Sequence, residues 1–394
     1  MPLTKPQPPK SFGQVAKILT VALASSVLLA GCGGGGGSSG EAPATQRMFV
    51  AGDSLFDTGT FGIKFTVQNA AGPTKIIIDL LSDDKGLSSP CPAYSPTLTL
   101  SNLSCTGFAV GGAGINTSTG TPRNVVKQLQ DMKSSYMRFE SSDLVLIDGG
   151  GNDFAALTES FGAFATAAGA ARASQTAESV AAYQAATQAY ATFVAPLLQP
   201  AAWAQGPAAQ TAVVSSLTTA ILTADDPLTQ AVSYGLAYSV KLADVLVAAI
   251  DENLIAAGAT RIFVANPPNI VLTPQFSAVR GLLGPVVSGW IAGYNLQLES
   301  LASARSQVAV YNLYAKFSDL LVPEVGATFG FTNVVDAACA SSISENPAAC
   351  STAALDASRP DWRGYFFSDG FHGTPLANEV IAQDVIRVLD NLGW

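Results

Sequence analysis

The 394-residue sequence contains a single histidine, His372. A metal centre built on several imidazoles therefore has no basis in it, and a proton relay that needs imidazole must use this ring. Charge is also scarce. Acidic and basic residues together make up 12% of the chain, and the formal balance is −9. A nucleic-acid partner calls for a basic stripe, which this chain does not supply. There are five cysteines and none forms a C-x-x-C pair, which again argues against a zinc site. The glycine stretches 107–114 and 149–153 carry neither G-x-G-x-x-G nor a Walker lysine, so a dinucleotide or P-loop phosphate site is not expected there.

No acidic residue occurs before Glu41. Lys5, Lys10 and Lys17 precede an apolar run from Ile18 to Leu29, too short to span a bilayer comfortably and ending in small residues. Residues 1–31 therefore read as an export signal. Leu29-Ala30-Gly31-Cys32 resembles a bacterial lipobox, so Cys32 is the expected lipidation site and an N-terminal lipid anchor the expected membrane partner. Two acyl chains hold a protein stably on a bilayer where one does not. Gly33 stands where an inner-membrane retention aspartate would, and by that analogy the outer membrane is the expected address. Residues 32–45 form a Gly/Ser-rich tether. Gly36-Gly37-Ser38-Ser39-Gly40 matches G-x-S-x-G formally, but it lacks the strand and helix that a nucleophile elbow needs.

Cys91, Cys105, Cys339 and Cys350 are an even number in an exported chain, which suggests disulfides. Three pairings are possible. The local ones, Cys91–Cys105 and Cys339–Cys350, are preferred because each closes a short loop rich in Pro, Ser or Ala.

Apolar content is 48%, much of it alanine, as expected of a helix-rich globular chain. Strand-like runs fall at Arg47–Ala51, Asp143–Asp148, Arg261–Ala265 and Val308–Tyr311. Helical spacing predicts helices over 124–136 with Asn124 as N-cap, 240–257 stopped by Gly258, 286–304, and 376–389 with Val380, Ile381, Val385 and Leu389 on one face. Strands alternating with helices imply a parallel α/β sheet with right-handed crossovers. Residues 155–236 are Ala-rich and low in charge. They are expected to form a helical insertion broken at Pro196 and Pro200, acting as scaffold or as a partial lid.

The candidate chemistry begins where the first strand ends, at Gly52-Asp53-Ser54-Leu55. Open parallel sheets present ligands at such C-terminal strand edges. A serine there needs a base and an oxyanion hole to act as a nucleophile. His372 is the one available base, and Asp369, three residues earlier, can reach its Nδ1 in a tight turn. Asn152 follows the second strand in Gly149-Gly150-Gly151-Asn152-Asp153, and the glycines of Gly107–Gly114 can offer an unshielded backbone N–H.

These four blocks, in this order, resemble those of the GDSL (SGNH) ester hydrolases over roughly residues 46–392. The resemblance implies a three-layer α/β/α sandwich with a mostly parallel five-stranded sheet. It also implies hydrolysis of carboxylic esters without metal or organic cofactor. It casts Ser54 as nucleophile, Asp369 and His372 as its relay, and Ser54, Gly112 and Asn152 as the oxyanion hole, with Gly112 preferred over Gly111 by alignment. The chain ends at Trp394, leaving no room for the C-terminal barrel that some relatives carry. The expected substrate is a small-molecule or lipid ester, or an acetyl group on a glycan. Leu55, Phe56, Phe154 and Phe371 lean towards an acyl or aryl group. A non-catalytic surface lipoprotein that keeps the fold is the alternative, and the presence of all five chemical residues argues against it.

Overall fold

A computed structural model of the chain describes residues 44–69, 71–72, 74–117 and 119–394. Residues 1–43, which hold the expected export signal, Cys32 and most of the expected tether, lie outside the described residues.

Four strands form one parallel sheet in the order β1 (Arg47–Ala51), β2 (Asp143–Ile147), β3 (Ile262–Ala265), β4 (Val308–Tyr311). Register runs Met48 beside Leu144, Val145 beside Ile262, and Ile262 beside Val308. The strand sequences are continuous apolar runs because both faces are covered. Side chains alternate between the faces. Phe49, Ala51, Val145, Ile147 and Val264 enter one core cluster, while Met48, Val50, Leu144, Leu146 and Phe263 enter the other.

The second face is covered by α1 (Ile77–Asp84) and, from the far end of the chain, by α12 (Pro375–Leu392). The α12 side chains Val380, Ile381, Val385 and Leu389 form the expected buried stripe. The first face carries α2 (Val125–Tyr136) and the helices of the Ala-rich stretch: α3 (Gly151–Ser174), α4 (Ala177–Leu198), α5 (Pro200–Trp203), α6 (Pro207–Leu222) and α7 (Pro227–Asn253). Helix α8 (Arg280–Ala302) packs against α7, with the indole of Trp290 lying where a side chain on Gly235 would be. The chain continues through α9 (Leu313–Leu320), α10 (Pro323–Ala327), β5 (Asn333–Ala337), α11 (Thr352–Ser358) and β6 (Tyr365–Phe367). Among the described residues, no helix is long and apolar enough to cross a membrane.

The layered α/β reading holds, but the sheet is not five-stranded. Four strands form the main sheet, and β5 and β6 form a separate parallel pair. The place beside β1 is taken by residues 106–110. Val50 N–H donates to Thr106 O at 3.0 Å, and Phe108 and Val110 donate to Val50 O and Gly52 O at 2.7 and 3.0 Å. This segment does not extend as a strand because Gly107 also exchanges backbone hydrogen bonds with Cys91 and Ala93. It is held between β1 and the loop closed by the Cys91–Cys105 disulfide.

The helical stretch also departs from its expected bounds. Helix α3 already begins at Gly151, and α7 runs unbroken across residue 236 and past the expected start at 240. Gly258, with φ +95°, does end the short 3₁₀ turn that follows α7. Pro196 does not break its helix. It sits in the last turns of α4, which ends at Leu198, and Pro200 opens the next helix. Asn124 caps α2 as expected, accepting from Lys127 N–H at 3.0 Å.

Phe161, on α3, shows how the helical stretch is fastened. It is buried, with ring centroids 5.2 Å from Trp290 and 5.8 Å from Tyr190, so one side chain links α3, α4 and α8. Phe161→Ala is expected to cost about 3–5 kcal/mol, as Phe→Ala does in packed cores. Denaturant unfolding of the variant beside the parent protein checks this.

Candidate active site

The C-terminal ends of β1 and β2 build the site. With 106–110 on the outer side of β1, the chain steps outward from β1 to this segment, then returns to place β2 on the other side. The strand order reverses at β1, and the crevice at such a point is where open α/β sheets bind ligands. The chain leaves β1 at Gly52, whose φ of +143° suits glycine. A Cβ on Gly52 would lie 1.4 Å from Asp148 Oδ1, so the site leaves no room for any side chain. The buried amide of Gln128 closes the exit: its Oε1 accepts from Gly52 N–H at 2.7 Å and its Nε2 donates to Gly52 O at 2.9 Å.

Ser54 and His372, 318 residues apart in sequence, meet with Oγ and Nε2 at 2.8 Å. On the other side of the ring, Nδ1 lies 2.8 Å from Asp369 Oδ2 and 3.0 Å from Oδ1. The 369–372 turn is fixed before the ring is considered. Asp369 Oδ1 accepts the N–H groups of Phe371 and His372 at 2.8 and 2.7 Å, and Ser368 N–H donates to His372 O at 2.8 Å. Burial alone would raise the Asp369 pKa. The charge of His372, the ring hydrogen bond and the backbone donors outweigh it and hold the group at about 2. A carboxylate depressed in this way contributes stability above its ordinary pKa near 4, and that contribution is lost as pH falls through about 2.

A further donor to Asp369 comes from the loop between Cys339 and Cys350, which are joined as expected. Ile343, fully buried, donates its N–H to Asp369 Oδ2 at 3.1 Å. Cys339 N–H donates to Ser368 O at 2.8 Å. The disulfide loop therefore braces the acid, and Cys339, Ser341, Ser342 and Ser344 also wall the pocket.

The glycine block is organised by Asp57, whose Oδ2 accepts from Gly111 N–H at 2.8 Å. That donor is used, whereas among the described residues the N–H groups of Gly112 and Ser54 meet no acceptor. Asn152 Nδ2 donates to Ala113 O at 2.9 Å and makes a long 3.4 Å contact with Asp53 Oδ2. The hydrogen in the longer contact is the one a substrate oxygen can take over. Asp153 fixes the same region from below, accepting Ile115 and Asn116 N–H groups at 2.7 and 3.0 Å. Burial, outweighing these donors, pushes its pKa up to about 6.

Ser54, Gly112, Asn152, Asp369 and His372 all face one open cavity of about 790 Å³. Its other walls are Phe61, Ile63 and Phe65, Arg123, Pro274 and Gln275, and the 337–345 loop. Of the Ala-rich stretch 155–236, only Ala155 lines the cavity among the described residues. The apolar faces of its helices are spent on the sheet flank and on each other. Of the four flagged apolar residues, only Phe371 lines the cavity. Leu55 lines a neighbouring apolar crevice of about 30 Å³, whereas Phe56 and Phe154 are core residues. Phe65 was not singled out from the sequence, though its ring centroid is 5.1 Å from that of His372. No local pattern marks it, because it arrives on an irregular segment.

Asp148 was likewise read only as the end of a strand. It is buried, its Oδ1 accepts from Asp53 N–H at 3.0 Å, and its Oδ2 meets no donor. Two buried carboxyls in contact cannot both ionise cheaply. Burial first, and then the charge of Asp53, raise Asp148 well above the usual carboxylate range. Burial raises Asp53 as well.

Residues 48–234 match the family model described as GDSL-like Lipase/Acylhydrolase. Ser54, Gly112 and Asn152 lie within the matched stretch; Asp369 and His372 lie beyond it and join them through the fold. The match supports the GDSL family and an ester-hydrolase type of activity on small-molecule esters. No curated protein matches the chain.

An acid whose native pKa is raised loses stability to its unfolded form as pH climbs from the ordinary value towards the native one. Asp148→Asn supplies permanently the donor that the protonated acid supplies. It is expected to raise Tm at pH 8 relative to the parent and to change it little at pH 4. Thermal unfolding at both pH values checks this.

Proposed function

We propose that the protein is a serine hydrolase of carboxylic esters, with Ser54 as nucleophile, His372 as general base and Asp369 as the orienting acid. The observation that carries this reading is the buried chain of contacts from Asp369 through both ring nitrogens of His372 to Ser54 Oγ, opening on the cavity. Neutral His372 takes the Ser54 proton as Oγ attacks the acyl carbonyl, and the Asp369 carboxylate stabilises the imidazolium that forms. Negative charge then builds on the former carbonyl oxygen. The unengaged N–H groups of Ser54 and Gly112 and the Asn152 amide are suited to receive it. His372 returns the proton to the leaving alcohol, and water repeats the cycle on the acyl-enzyme.

The hydroxyl-rich 341–344 wall and Gln275 favour a polar alcohol portion over a long-chain lipid. An acetylated glycan is therefore a second reading of the same site. The small crevice beside Leu55, Phe65 and Phe371 suits a short acyl end.

We also infer an exported lipoprotein anchored through Cys32, in the outer membrane by the Gly33 analogy. Support comes from the Leu29-Ala30-Gly31-Cys32 sequence and from the two disulfides, which belong in an oxidising compartment.

Ser54→Ala is expected to abolish turnover of a 4-nitrophenyl ester in a protein that unfolds like the parent. Asn152→Ala is expected to lower kcat by roughly 10²–10³-fold, the usual cost of one oxyanion donor. Near-parental turnover by Ser54→Ala would overturn the nucleophile assignment. Cys32→Ser is expected to move the protein from the membrane to the soluble fraction. Fractionation and the mass of the mature N-terminus check this.

A further inference from the structure

Among the described residues, the cavity contains one permanent cation that no carboxylate neutralises. Arg123 sits one residue before the Asn124 cap of α2 and lines the cavity with Ser54, Gly112 and Asn152. Its Nη1 donates to Gly111 O at 3.0 Å, and its guanidinium carbon lies 5.1 Å from the centroid of the Phe61 ring. A Cβ built on Gly112 would fall 2.8 Å from Nη1, which places the guanidinium directly beside the residue suited to receive the oxyanion.

Most of the other arginines are used differently, and Arg138 and Arg172, which also lack an acid partner among the described residues, do not line the cavity. Arg47, Arg305, Arg363 and Arg387 each pair with an aspartate. Arg280 and Arg359 spend their donors on backbone carbonyls. Arg123 spends one donor on Gly111 and has no acid partner among the described residues. Its guanidinium is held by the Gly111 carbonyl and the Phe61 ring, which leaves the other N–H groups of a five-donor fork without a protein acceptor among the described residues. The remaining full charges there are Asp369, committed to His372, and Glu345 on the exposed rim. In a chain of formal charge −9, an anionic substrate is repelled by the bulk of the surface and needs a local cation to be held.

We propose that Arg123 forms an anion subsite beside the oxyanion donors, so that the preferred substrates are esters carrying a carboxylate or other anionic group a few bonds from the scissile carbonyl. This rests on the ester-hydrolase reading of the same cavity. A guanidinium fixed against Phe61 and Gly111 O can take the anion through a bidentate pair without first breaking an ion pair of its own. The arrangement selects by charge close to the reacting carbon, a discrimination the Phe65 and Phe371 walls cannot make.

The test compares the 4-nitrophenyl monoesters of glutaric and butyric acid, similar in reach but different in charge. The parent protein is expected to favour the glutarate monoester, and the preference is expected to shrink as salt is raised. Arg123→Gln is expected to lower the glutarate-to-butyrate ratio of kcat/KM about tenfold, the loss of one partly solvated charge-assisted contact. Arg123→Lys is expected to retain part of the ratio, because it keeps the charge without the fork. A ratio unmoved in Arg123→Gln, including an equal fall on both esters, would overturn the subsite and leave Arg123 a brace for the glycine loop. If neither ester is turned over, the hydrolase reading fails separately. Calorimetric titration of the parent with monomethyl glutarate then decides the subsite: binding that Arg123→Gln abolishes upholds it, and no binding overturns it.

Discussion

The contact on which the site depends is the one between Ser54 Oγ and His372 Nε2. The chain has one imidazole, and that ring must reach a serine 318 residues away in sequence. No local preference can bring the two together. The serine is placed by β1, whose register against β2 is set by paired apolar residues buried on both faces. The histidine is placed by the short β5–β6 pair and by α12, which packs on the opposite face of the sheet from the helical stretch. The two halves are joined through the core beneath them and by hydrogen bonds such as Thr66 Oγ1 to Gly373 O at 2.8 Å.

Around that contact, polar groups are bought into the core by exact pairing of donors with acceptors. Gln128 replaces a strand partner for Gly52, Asp57 holds Gly111, and Asp153 holds the amides of Ile115 and Asn116. Asp369 has four donors directed at its two oxygens, one of them from the disulfide loop. Asp148 is the contrasting case. Burial raises its pKa well above the usual carboxylate range, and its carboxyl fills the space that a side chain on Gly52 would need.

The cavity is asymmetric in its sources. One wall comes from the segment after β1, with Phe61, Ile63 and Phe65. Another comes from the 337–345 loop, tied at Cys339 to Cys350. The long helical stretch contributes only Ala155, although it follows directly from Asn152. Its helices turn away because their apolar faces are satisfied by the sheet flank and by α8, as the contacts of Phe161 with Trp290 and Tyr190 illustrate.

The sequence by itself determined the parts of this protein whose physics is local. Apolar runs marked β1 to β4, and helical spacing marked α2, α8 and α12. The Asn124 cap and the Gly258 stop were legible because each is a one-residue backbone requirement. Ser54, Asn152, Asp369 and His372 were singled out because scarcity and strand-end position narrowed the choice. The sheet's fifth place was not legible, since residues 106–110 are diverted by a loop that a disulfide closes. Phe65, Ile343, Asp148 and Arg123 were not legible either. Each belongs to the site through a neighbour distant in sequence: a ring, a carboxylate, a glycine or a cavity. Only the tertiary structure decided these, because burial and charge neutralisation are properties of surroundings that packing creates and that no stretch of chain carries alone.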